Sequence, residues 1–114
     1  MKSFPVLVSI VAFLIWGAPG TSAPAEARST LLSLSAPQAK SVAVVGSFNQ
    51  WDPSRHPLAG PDETGVWTIM LHLEPGRYEY LFVINGNHWV PNPSALSIDD
   101  GFGTRNSVLF IAPD

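Results

Sequence analysis

The stretch Trp67-Thr-Ile-Met-Leu-His-Leu-Glu-Pro-Gly-Arg-Tyr-Glu-Tyr-Leu-Phe-Val-Ile84 decides the fold class. Trp67, Ile69, Leu71 and Leu73 alternate with Thr68, Met70 and His72, the period of a half-buried strand. After the turn signal Glu74-Pro75-Gly76, Tyr78, Tyr80, Phe82 and Ile84 alternate with Arg77, Glu79, Leu81 and Val83, a second strand. The two read together as one hairpin. Working outward, Val42-Ala43-Val44-Val45 is a β-branched run ending at Gly46, and residues 30–35, with Leu32 and Leu34 on one parity, form an opening strand. Asn85-Gly86 is a tight-turn dipeptide leading into the short segment His88-Trp89-Val90, which Pro91 and Pro93 stop. The last strand lies over residues 107–111. No stretch shows a helical repeat, so the expectation is an all-β sandwich of about seven short antiparallel strands. Its core is Val42, Val44, Phe48, Trp67, Ile69, Leu71, Tyr78, Tyr80, Phe82 and Leu109, with Leu81 and Val83 facing outward.

Composition narrows the function classes. The chain has 114 residues, 13% charged and 46% hydrophobic, with a formal net charge of −3, so the basic footprint of a nucleic-acid binder is missing. With no cysteine, disulfide staples, cysteine zinc sites and thiol catalysis are excluded, and packing alone must hold the fold. Part of the apolar balance belongs to the first residues. Lys2 precedes an apolar run over residues 4–16, and Ala25-Glu26-Ala27 offers a small-x-small site before Arg28, the order of a secretory signal peptide. The expected domains are a signal peptide over 1–27 and one β-sandwich over 28–114, and the expected location is secreted or periplasmic. The membrane is a partner only if the leader stays uncleaved as an anchor.

The residues give no support to catalysis. His56, His72 and His88 lack partners at metal-ligand spacing, no serine sits in a nucleophile-elbow context, and Asp99-Asp100-Gly101 reads as a solvated turn rather than a calcium loop. Glu74, Glu79, Asp99 and Asp100 fall on turns or an exposed strand face without a pocket-forming scaffold. The chain is expected to be no enzyme, with no metal and no cofactor. What stands out is aromatic and amide. Trp51 closes Gly46-Ser-Phe-Asn-Gln-Trp51 on a loop, and Trp89 follows the Asn85-Gly86 turn. Indole faces suit the apolar faces of pyranose rings, and asparagine side chains both donate to and accept from hydroxyls. From residue types alone, both rings serve equally well as plugs at the ends of the sandwich.

These residues resemble a known family. Gly46-Ser-Phe-Asn-Gln-Trp51, Gly65-Val-Trp67, Leu73-Glu-Pro-Gly-Arg-Tyr-Glu-Tyr-Leu-Phe-Val-Ile-Asn-Gly86 and Trp89-Val-Pro-Asn-Pro93 look like the glycogen-binding domain of the AMP-activated protein kinase beta subunit and the family 48 carbohydrate-binding modules. The resemblance implies an early-set immunoglobulin-like sandwich and a non-catalytic site for an α-glucan polysaccharide or oligosaccharide. Carried over residue by residue, it implies stacking on Trp51 and Trp89, a contact from Phe102, which stands where the kinase subunit has a leucine that enters the glucan helix, and hydroxyl contacts from Thr104 and Asn106. Two departures stand out: Leu81 replaces the lysine of the kinase-type domain, and Trp89 is displaced by one inserted residue. The alternative is a protein-interaction or structural sandwich that has lost glucan binding, a reading favoured if Leu81, Val83 and Met70 form one outward apolar patch.

Overall fold

The structure is a computed structural model that describes residues 27–113. Apart from Ala27, the expected leader lies outside the described residues. Among the described residues seven strands follow one another: β1 (Arg28–Ser35), β2 (Val42–Gly46), β3 (Val66–Leu73), β4 (Gly76–Ile84), β5 (His88–Val90), β6 (Ser97–Asp99) and β7 (Arg105–Ile111). No helix occurs among the described residues, and so none long and apolar enough to cross a membrane.

All pairings between these strands are antiparallel, and they make two sheets. One is β1 with β3, in a register that sets Leu32 opposite Ile69 and Leu34 opposite Trp67. The other runs β2-β4-β7-β6, with β5 pairing the last three residues of β4. The inner faces meet in a core of Leu32, Leu34, Trp67 and Leu71 from the first sheet and Val42, Val44, Tyr80 and Phe82 from the second, with Leu58 beside them. Trp67 is held by a bond from Nε1 to the Ala36 carbonyl (3.0 Å), and the Tyr80 and Phe82 rings meet edge to face at 5.8 Å. Burial raises the Tyr80 hydroxyl pKa, and a bond from Asn92 Nδ2 (2.9 Å) opposes that rise while satisfying the buried oxygen. The two-sheet all-β architecture is the one the alternation predicts, and Phe48, Ile69, Tyr78 and Leu109 are half-buried at its margins.

Two expectations are overturned. The strands flanking Glu74-Pro75-Gly76 are not a hairpin: β3 pairs β1, while β4 pairs β2, β5 and β7, so the link crosses from one sheet to the other. A two-residue hairpin link favours positive φ in its turn, and proline is locked near −65°, so Glu74-Pro75 is the wrong chemistry for one. Asn85-Gly86 is the right chemistry. Both residues have positive φ (54° and 77°), Asn87 N donates to Ile84 O at 3.2 Å, and β4 and β5 pair across the turn.

Val83, expected outward, is 1% exposed, and Val45 on the same side of the sheet is fully buried. The reason is tertiary: Val83 lies between Ala43 on β2 and Trp89 on β5, so the returning hairpin lays a ring beside it. Leu81 is only half-buried. Met70 is exposed on the outside of the other sheet, so Leu81, Val83 and Met70 do not form one apolar patch.

Candidate functional site

On the outer face of the larger sheet, β4 presents Glu79, Leu81 and Val83, and the chain folds two rims around them. The first rim is the β5 hairpin with Trp89 and Pro91. The second is the loop from β6 into β7, which delivers Gly103, Thr104 and Arg105. Leu81, Trp89, Pro91, Gly103, Thr104 and Arg105 line an open groove of about 510 Å³, within the usual size range of small-molecule sites. Trp89 is 44% exposed, so a good part of its indole surface is open to solvent.

The second rim is shaped by carboxylates. Asp99 Oδ1 accepts from Gly101 N (2.7 Å), and Asp100 Oδ1 accepts from Phe102 N (2.7 Å) and Thr104 N (3.3 Å). The Thr104 hydroxyl donates to Asp100 Oδ2, and Asp100 N donates to Thr104 O at 2.9 Å. Gly101 and Gly103 supply the positive φ (86° and 89°) that lets the loop close on itself. The Thr104 hydroxyl, and after it the Phe102 amide, holds the exposed Asp100 carboxyl below its usual pKa. Asp99-Asp100-Gly101 is thus a turn whose carboxylates face their own loop. Arg105 is anchored too: Nε donates to Ser97 Oγ (2.9 Å) and Nη2 to Ser97 O (2.8 Å).

Trp51 sits at the end of a turn that its sequence dictates. Asn49 is fully buried at the centre of this turn. Its Oδ1 accepts from Gly46 N (3.0 Å), and its Nδ2 donates to Val44 O (3.1 Å) and to His56 Nδ1 (2.9 Å). Trp51 N closes back on Gly46 O at 3.0 Å, with Gln50 and Trp51 both left-handed (φ 56° and 57°). The Trp51 ring is half-buried.

Of the residues singled out from sequence, the groove brings together Trp89 and Thr104. Trp51, Phe102 and Asn106 are not among its lining residues. Phe102 is 91% exposed at the tip of the second rim. Asn106 is half-buried, its Nδ2 donating to Glu79 Oε1 (3.0 Å), while Arg77 Nη1 donates to Glu79 Oε2 (3.2 Å). Sequence reasoning missed Arg105 and Pro91. Arg105 had no local signal, because Ser97, which orients it, lies on a different strand. His72 Nδ1 is bonded to Ser29 Oγ (3.0 Å) on the other sheet, away from His56, and among the described residues no group of three or more His, Asp or Glu is placed to hold a metal ion.

The groove thus sets an exposed indole beside the polar side chain of Thr104 on one sheet face. Residues 19–100 match the family model described as carbohydrate-binding module 48 (isoamylase N-terminal domain), and the chain belongs to that family. Its relatives include the 1,4-alpha-glucan branching enzyme GlgB of Pseudomonas syringae pv. syringae, 46% identical over 67 residues that make up 54% of this chain and 9% of the relative. The enzyme of the same name from Paraburkholderia xenovorans is 36% identical over 81 residues, 67% of this chain and 11% of the relative. GlgB 1 of Xanthomonas axonopodis pv. citri is 40% identical over 62 residues, 54% of this chain and 8% of the relative. The matched part of this chain spans about a tenth of the length of these curated relatives.

Proposed function

We propose that this chain is a non-catalytic α-glucan-binding module of the glycogen or starch type, exported from the cell that makes it. The observation that carries the reading is the groove itself, in which the apolar residues Trp89, Leu81 and Pro91 stand beside Thr104. Glucose units stack on Trp89, and Trp51 and Phe102 extend the contact along the chain of sugars. Thr104 and Asn106 bond to sugar hydroxyls with the capacity left by their partners Asp100 and Glu79. The family and the α-glucan named in the relatives' activity support the ligand class.

Native gel electrophoresis of residues 28–114 with and without amylopectin tests the reading. Retardation by amylopectin is expected, and Leu81→Lys is expected to increase it by placing a charge-assisted donor in the groove. No retardation of either protein refutes the glucan reading and leaves a protein-interaction or structural sandwich in its place.

Export is supported by Lys2, the apolar run over 4–16 and Ala25-Glu26-Ala27. Mass spectrometry of the protein from its native host is expected to find an N-terminus at or near Arg28. A full-length cytoplasmic product refutes it.

A further inference from the structure

The sheet face that carries Leu81 and Trp89 also carries a polar pair whose direction is fixed. Asn106 stands on β7 one step beyond the Tyr80–Ser107 pair, on the side of Leu81, and its Nδ2 donates to Glu79 Oε1 at 3.0 Å. An ionised carboxylate only accepts, so the amide has one orientation: turned over, it would set its carbonyl oxygen against a carboxylate oxygen. Glu79 is itself held. Arg77 Nη1 donates to its other oxygen, Oε2, at 3.2 Å, and the Glu79 side chain is only 29% exposed. What the pair leaves over is Asn106 Oδ1, which has no hydrogen-bond partner among the described residues and is open to solvent. That atom is an acceptor. Thr104, in the groove wall, is set in the same sense, because its hydroxyl gives its proton to Asp100 Oδ2 and keeps its lone pairs.

We propose that Glu79 is a positioning residue of the glucan site: its carboxylate holds Asn106 so that the amide meets a sugar through Oδ1, as an acceptor, and the sugar hydroxyl that bonds there is the donor. The proposal rests on the glucan reading, in which Asn106 contacts a hydroxyl, and adds to it the direction of that bond and the residue that sets it. A free asparagine offers a hydroxyl either end of its amide and loses rotamer freedom when it binds. One already fixed has met that cost in the unbound protein. With Thr104 also left as an acceptor, the polar side of the site selects a ligand edge that presents hydroxyl protons.

The test exchanges the two ends of the bond. Amylopectin retention and urea unfolding are measured for the wild type, Glu79→Ala, Asn106→Ala, Asn106→Asp, the double variants Glu79→Ala/Asn106→Ala and Glu79→Gln/Asn106→Asp, and Trp89→Leu. Asn106→Asp sets two carboxylates together and is expected to weaken retention about tenfold. Glu79→Gln/Asn106→Asp reverses the bond, the new amide donating while the new carboxylate still offers an oxygen to the sugar, and is expected to recover to within about threefold of the wild type. Glu79→Ala is expected to weaken retention about fivefold and to do nothing further once Asn106 is alanine. A merely structural pair would move the urea midpoint and leave the retention of the folded protein alone. Glu79→Gln/Asn106→Asp retained no better than Asn106→Asp, both folded, shows that the sugar uses the Asn106 N–H or the Glu79 carboxylate and overturns the proposal. Glu79→Ala retained like the wild type, while Trp89→Leu is lost, overturns it too and leaves the glucan reading intact. A wild type that amylopectin does not retard overturns both. If Asn106→Asp unfolds, the alanine cycle decides: losses from Glu79→Ala and Asn106→Ala that add in the double variant refute the proposal.

Discussion

Truncation of Trp89 separates a sugar platform from a structural cap, and the structure sets the size of both effects. The ring is 44% exposed, so somewhat more than half of its surface rests on the protein. Of the roughly 200 Å² that a tryptophan brings, about 110 Å² is covered, and at about 25 cal/mol per Å² that cover contributes at most about 3 kcal/mol. Trp89→Ala is therefore expected to lower stability by about 2 kcal/mol, because it uncovers Val83, its cross-strand neighbour. It is also expected to weaken glucan binding: aromatic stacking on nucleobases is worth about 1–3 kcal/mol, and by analogy a glucose unit lost from this ring costs about tenfold or more in retention. Since alanine moves both quantities, Trp89→Leu is the sharper variant. Leucine still shields Val83 but offers no π face, so stability is expected to fall by only about 1 kcal/mol while retention falls as far as in Trp89→Ala. Urea unfolding followed by tryptophan fluorescence gives the first number, and mobility in amylopectin gels gives the second. If Trp89→Leu is retained like the wild type, the ring is a cap for Val83 and not a platform.

Trp67→Ala removes a 5% exposed ring and its bond to Ala36 O, and a loss of about 3–5 kcal/mol is expected in urea unfolding; an unchanged midpoint would show that β3 faces the other way. Asn49→Ala strips the buried turn of its bonds to Gly46 N, Val44 O and His56, so about 2–3 kcal/mol of stability should go, and retention with it as the Trp51 turn loosens. A variant with both intact would show that Asn49 does not hold the turn. Acid is expected to act partly through Asp62, whose exposed carboxylate accepts from Val66 N, the Thr64 hydroxyl and Thr64 N at the entrance to β3. Those bonds hold its folded pKa below the usual carboxylate value near 3.9, so its stabilisation is full above about pH 4 and is lost as the pH falls through the lower folded value. Asp62→Asn is expected to flatten the acid limb of a stability–pH profile, and an unaltered limb would remove Asp62 from that account.

The alternation of Trp67, Ile69 and Leu71, and of Tyr80 and Phe82, was sufficient to give the strands and the inward face of each, because a period of two is a property of the chain alone. Asn85-Gly86 likewise specified its own turn, since positive φ at two successive residues is a local requirement. The buried Asn49 was legible only as part of a motif; that its amide organises the turn below Trp51 depends on Val44, Gly46 and His56 arriving together. Which strands pair was not legible, because alternation is indifferent to the neighbour; the sheet change at Glu74-Pro75 follows from the core each face must cover. Nor was the burial of Val83, whose cover comes from the returning β5 hairpin and from β2. The groove is tertiary in the same sense: Leu81, Trp89 and Arg105 belong to three different strands, and only the folded sheet sets them around one space.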